Sequence, residues 1–198
     1  MNNIQVYNFS IEDGEKCMKF ARESLRKYIV EDQKLDIGSV DDILNKRAGV
    51  LVQLESTKGL SKLRGRAGIY DGKRISESII DAIVLAASSR SIGSKLNQNE
   101  LNDITIKLSL IEEVTLTKNP EERITIGNNC LIVPKNMGAW LYPTIPEEHN
   151  WSVQNYIQRT FKSNNLNKNK WENKNKVVVK TKSFIEQNPN GKCILDTN

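Results

Sequence analysis

The chain has 198 residues, 38% of them hydrophobic and 27% charged, with a formal net charge of +5. That length holds one large domain or two small lobes packed together. No apolar run approaches the ~20 residues that a membrane-spanning helix needs. Residues 1–10 lack the basic and apolar regions of a secretory signal, so a cytoplasmic location is expected.

Ser10, with Asp13 three residues on, predicts a capping-box helix start. Apolar residues at Cys17, Phe20, Ala21, Leu25, Tyr28 and Ile29 carry that helix over residues 11–30. A second short helix is predicted from Ser39, with Asp42 at its third position, to near Lys46. Residues 49–54 alternate with Val50, Val52 and Leu54 on one face, and residues 63–70 return as the second strand of a hairpin. Asp71-Gly72 is a tight-turn pair. Ser76 is then expected to cap a largely buried helix whose face is Ile79, Ile80, Ile83, Val84 and Ala87.

Residues 88–102 read as a polar connection in which Asn97 and Glu100 cap one short turn. Ile104, Ile106, Leu108 and Leu110 alternate strictly with Thr105, Lys107 and Ser109, the pattern of a half-buried strand. Further short strands are expected at residues 124–126, 130–133 and 139–142, with a hairpin turn at 135–138. Pro143 and Pro146 predict a stiff extended connector, and Ser152 begins a helix with Val153, Tyr156, Ile157, Thr160 and Phe161 inside. The Asn/Lys-rich residues 163–176 read as a loop pinned by Leu166 and Trp171, followed by a last strand over 177–184. Pro189 and Gly191 mark residues 187–198 as a loose tail. The expected class is α+β, with a mostly antiparallel sheet and flanking helices.

Cys17, Cys130 and Cys193 are odd in number and widely spaced, and His149 is the one histidine. That inventory does not make a structural metal site, so no metal and no cofactor is expected. The excess of positive charge lies towards the C-terminal end, at Lys162, Lys168, Lys170, Lys174, Lys176, Lys180 and Lys182. A solvated face explains it more simply than a nucleic-acid footprint. Trp140, Trp151 and Trp171 are not interleaved with the basic residues as a stacking platform would require.

The densest chemistry is in residues 62–69, which combine Lys62, Arg64, Gly65, Arg66 and Gly68. In a strand, Arg64 and Arg66 point to one face and can grip a carboxylate or phosphate. Gly65 and Gly68 allow a ligand or another backbone close. Three readings stand: a structural ion pair of Arg64 bridging two lobes with Gly65 needed for packing, ligand binding, and direct catalysis. His149, beside Glu148, titrates nearest neutrality and reads as a loop-bracing residue, a ligand contact or a proton-transfer group. Ser88-Ser89-Arg90-Ser91 reads as a solvated helix end rather than a phosphate site.

Leu63-Arg64-Gly65-Arg66-Ala67-Gly68 resembles the signature of the AMMECR-type family, in which Leu-Arg-Gly is followed by Cys-Ile-Gly. Gly49-Val50-Leu51-Val52, Ile126-Gly127, Leu131-Ile132-Val133, Leu141-Tyr142-Pro143, Glu148-His149-Asn150-Trp151 and the Trp171 segment follow in the family's order, covering about residues 10–186. The resemblance implies a single domain over residues 1–186 made of two unequal, intimately packed lobes, with the signature strand lining the cleft between them. Arg66 stands where the family usually has cysteine, and Phe161 occupies a second position at which many relatives carry one. A thiol mechanism therefore cannot run through either position.

The first functional expectation is an intracellular binding or accessory module. Its cleft would hold a small anionic or nucleotide-like ligand, or a protein partner, through Arg64, Gly65, Arg66 and Gly68 with Glu148 and His149. The alternative is an enzyme with His149 as acid or base and Arg64 or Arg66 stabilising negative charge, tied to the Memo-type and radical-SAM modification chemistry that the resemblance implies. Nucleic-acid binding is a weaker third reading.

Overall fold

A computed structural model of the chain describes residues 6–59, 62–70, 72–88, 94–133 and 139–196. Asp71 of the tight-turn pair, the Ser89-Arg90-Ser91 stretch and the hairpin turn at 135–138 lie outside the described residues. The chain divides into two compact units, one of residues 9–110 and 182–197, the other of residues 1–8 and 111–181 with residue 198. Among the described residues no helix is long and apolar enough to cross a membrane.

The first unit opens with helix α1 (Ile11–Glu31), whose start is set by Ser10 and Asp13, each bonding the other's backbone N–H. The helix ends at Asp32 in the left-handed region, where its N–H donates to the Tyr28 carbonyl. A short helix α2 (Asp42–Asn45) leads to β1 (Val50–Ser56), β2 (Leu63–Ile69) and helix α3 (Ile75–Ala87). β3 (Ile104–Thr117) begins in this unit and runs into the other. β6 (Lys176–Glu186) returns from it to pair with β7 (Cys193–Leu195). β1 lies between β2 and β3, antiparallel to both. α3 packs on β1, β2 and α1, so Val50, Val52, Leu54, Ile79, Ile83, Ile106 and Leu108 are fully buried. Gly14 on α1 is required by the contact with β6, because a methyl there would come within 2.6 Å of the Phe184 ring.

The second unit holds the rest of β3 together with β4 (Asn129–Val133), β5 (Ala139–Trp140), helix α4 (Ile145–Glu148), helix α5 (Val153–Ser163) and the first part of β6. β4 pairs antiparallel with both β5 and β6. Its core is Ile124, Leu131, Val133, Tyr156, Ile157, Phe161 and Val178, with Leu166 and Trp171 packed against it. The buried Tyr156 hydroxyl accepts from the Leu131 N–H at 3.1 Å and donates to the Leu141 carbonyl at 3.0 Å, fixing α5 to β4. The α+β class and the antiparallel sheet match the alternation and capping signals.

Four local expectations differ. Residues 124–126 form no strand; they enter a turn that Asn129 holds by accepting the Thr125 N–H at 2.9 Å. The Pro143–Pro146 connector contains the one-turn α4, because Pro146 sits in its first turn, where a proline needs no N–H partner. Ser76 does not cap α3: Arg74 takes that place through Glu77, and Ser76 is fully buried as the second residue of the helix. The segment expected as a loose tail contains β7, whose pairing with β6 is a tertiary contact invisible to local pattern.

Candidate functional site

The signature strand β2 does not alternate evenly. Its register against β1 slips between Leu54, opposite Gly65, and Glu55, opposite Leu63, leaving Arg64 as the extra residue of a bulge. The bulge re-aims Arg64, whose Nε and Nη2 both bond Glu100 Oε1, at 2.8 and 2.6 Å. The other oxygen of Glu100 accepts the Asn97 N–H at 3.2 Å and so caps the 3-10 turn of Gln98–Asp103. Arg64 thus ties the signature to that turn within a single unit. Gly65 faces α3, and a methyl there would overlap the Ala86 carbonyl oxygen.

Beyond the bulge the alternation resumes, which puts Arg66 and Gly68 on the sheet face opposite α3. Gln53 of β1 lies between Arg66 of β2 and Lys107 of β3, and Leu51 lies between Gly68 and Ser109. This face is polar without being open. Gln53 is 4% exposed and Ser109 1%, while the Lys107 side chain is 12% exposed and pairs with Asp196. Ser109 shares a 2.7 Å hydrogen bond with Ser183 of β6, whose carbonyl accepts the Asp196 N–H at 2.9 Å. Buried polar groups are the informative exception to ordinary partitioning. The result is a sheltered row of guanidinium, amide and ammonium across three strands.

Sequence reasoning placed Arg66 and Gly68 here and missed Gln53, Lys107, Ser109 and Asp196. Thr105, Lys107 and Ser109 read as a solvent face, because alternation reports which residues share a face and not what covers it. The available signal was Gln53, a polar residue inside the run Val50-Leu51-Val52-Gln53-Leu54.

Glu148 and His149 belong to the other unit. Thr144 Oγ1 donates to Glu148 Oε1 at 2.9 Å across the single turn of α4. His149 ends that helix, with its N–H on the Ile145 carbonyl at 3.2 Å. Its exposed ring stacks on Trp151 at 5.1 Å and 17°, and the Arg159 guanidinium lies 4.5 Å from the Trp151 ring. Two of the matched motifs meet here. Gly127 has φ +85, and a methyl on it would come within 2.6 Å of the Glu147 carboxyl carbon, so Ile126-Gly127 makes room for the residue before Glu148-His149.

All three cysteines are free and buried. Burial pushes the Cys17 and Cys130 thiols up to about 12 and Cys193 to about 11. Phe161 is core at 2% exposure. At pH 8, dithiobis(nitrobenzoate) should therefore react with the folded protein on the order of 1,000-fold more slowly than with a free thiol. Unfolding in guanidinium should release all three thiols; fast labelling of the folded protein would contradict this burial. Among the described residues no group of three or more His, Cys, Asp or Glu side chains is placed to hold a metal ion.

Comparison with known proteins covers nearly the whole chain. A family model described as AMMECR1 matches residues 18–184. Protein VNG_2543C of Halobacterium salinarum is 33% identical over 188 residues, covering 90% of each chain. Protein TV1384 of Thermoplasma volcanium is 27% identical over 202 residues, covering 97% of this chain and 98% of its own. The crystal structure of the uncharacterized protein PH0010 from Pyrococcus horikoshii superposes with a TM-score of 0.81 at 21% identity, covering 97% of this chain and 98% of that one. At that identity the likeness establishes the fold alone.

Proposed function

The chain belongs to the AMMECR1 family, and from that premise we propose that it is a binding or accessory module whose recognition element is the polar sheet face centred on Arg66. The observation that supports this is the row Arg66, Gln53 and Lys107, set side by side on β2, β1 and β3, with Gln53 buried, Lys107 largely so and Arg66 half-buried. A guanidinium beside an amide suits a small anionic or nucleotide-like ligand, or an acidic segment of a protein partner, which would compete with Asp196 for the Lys107 ammonium. Arg64 and Gly65 contribute differently: they hold β2 to the 3-10 turn and to α3. The thiols are buried and held protonated, and His149 is an exposed ring stacked on Trp151, so neither favours a catalytic reading.

The test is a thermal-shift screen with phosphate, citrate, AMP, ATP and an acidic peptide at matched ionic strength. A ligand at about 100 times its Kd adds about 2.7 kcal/mol, which is a rise of roughly 5 °C or more for a chain of this size. Arg66→Gln and Lys107→Gln should abolish that rise, whereas Arg64→Gln should lower the unliganded midpoint. If Arg66→Gln responds as the unaltered protein does, the face is not the recognition element.

A further inference from the structure

Lys176 begins β6 inside the Asn/Lys-rich region whose charge reads from sequence as solvated. It is 5% exposed. Its Nζ donates to the Lys118 carbonyl at 2.8 Å and to the Glu172 carbonyl at 3.1 Å. An ammonium has three N–H donors, so one is left over. No carboxylate of the described residues is within ion-pairing distance of it. A buried cation whose direct partners are two carbonyls carries a desolvation cost that no close ion pair offsets.

Lys176 also lines a cavity of about 560 Å³, a volume that admits a small organic molecule. Ile157 and Phe161 form an apolar part of its wall, and Lys118, Lys168, Glu121 and Glu172 supply the rest of its charge. The lining therefore carries three lysines against two glutamates, an excess of one positive charge. We infer that this cavity is a binding site for a small, singly charged organic oxyanion, whose oxygen accepts the remaining N–H of Lys176 and whose apolar body lies against Ile157 and Phe161. Glu121 and Glu172 select against polyanions, which would meet both carboxylates. The site lies wholly within the second unit and does not depend on the Arg66 face. Burial holds Lys176 below the ordinary lysine value of 10.5; Glu121 and Glu172 oppose that shift and the like charge of Lys168 adds to it.

Hexanoate, benzoate and tripolyphosphate should be titrated into 15N-labelled protein, with sodium chloride matching ionic strength. Hexanoate or benzoate should give saturable shifts confined to residues around Lys118, Ile157, Phe161 and Lys176. Affinity should fall as pH rises through a value below 10.5, where Lys176 loses its proton. Lys176→Met should abolish binding. Should that variant fail to fold, Lys168→Gln, an exposed change at the rim, should weaken binding about fivefold with the fold intact. Equal shifts from chloride, tighter binding of tripolyphosphate than of either carboxylate, or affinity unaltered in Lys168→Gln would each overturn the assignment.

Discussion

Gly65→Ala is expected to lower stability by about 3 kcal/mol or more, at the upper end of what overpacking costs. The added methyl would overlap the Ala86 carbonyl oxygen and come within 2.8 Å of the carbonyl carbon. Both atoms are helix backbone, so no side-chain rotation relieves the clash and α3 must lift away from β2. Equilibrium urea unfolding would show the loss as a midpoint lowered by roughly 1–2 M, given a slope of about 2 kcal/mol per M. Gly59→Ala is the control, since no atom lies within 4 Å of its added carbon and only its positive φ is strained. An unaltered midpoint in Gly65→Ala would mean that the helix does not need its close seat on the signature strand.

Glu186→Ala should cost about 3–5 kcal/mol, the usual result of stranding one member of a buried ion pair. Arg22 on α1 bonds both Glu186 oxygens, through Nε at 3.0 Å and through Nη2, and Nη2 also donates to the Ile104 carbonyl at 2.7 Å. Glu186 in turn accepts the Ile106 N–H at 2.9 Å, so one carboxylate joins α1, β3 and β6. The two side chains are 12% and 2% exposed, which removes the solvent that would otherwise take over. Pairing Glu186→Met with Arg22→Met should recover part of the loss, because it removes the unpaired charge but still leaves the Ile106 N–H without its acceptor. Urea midpoints of the two singles and the double form the cycle. If the double is as unstable as Glu186→Met alone, the loss comes from packing and the Ile106 hydrogen bond and not from the unpaired charge.

Features encoded by neighbours in the chain were legible in the sequence. Ser10 with Asp13, Asn97 with Glu100, and Ser152 each sit where their side chains cap a turn, and each turn forms there. The β1–β2 hairpin follows from the alternation of residues 49–54 and the return of residues 63–70 beside them. What escaped depends on partners distant in sequence. The Arg64–Glu100 pair was out of reach because two residues apart means one face only in a regular ladder, and the bulge breaks the ladder at Arg64. Lys107 and Ser109 looked solvated because Asp196 and Ser183, which meet them, lie more than 70 positions away. Lys176 looked like one more basic surface residue because the carbonyls that receive it come from two separate loops.

The interrupted course of the first unit sets an order of assembly during synthesis. Its helices, hairpin and the start of β3 emerge first, then the whole of residues 111–181, and only afterwards β7 and the end of β6. Arg22 therefore leaves the ribosome 164 residues ahead of its counter-ion Glu186. At about 5–20 residues per second that is a wait on the order of ten seconds. Over that interval the nascent chain carries a core-facing cation and an open β-edge, the two features that chaperones and neighbouring chains meet first. The stretch that carries Arg22 must thus wait for the whole of residues 111–181 to be made before Glu186 can reach it.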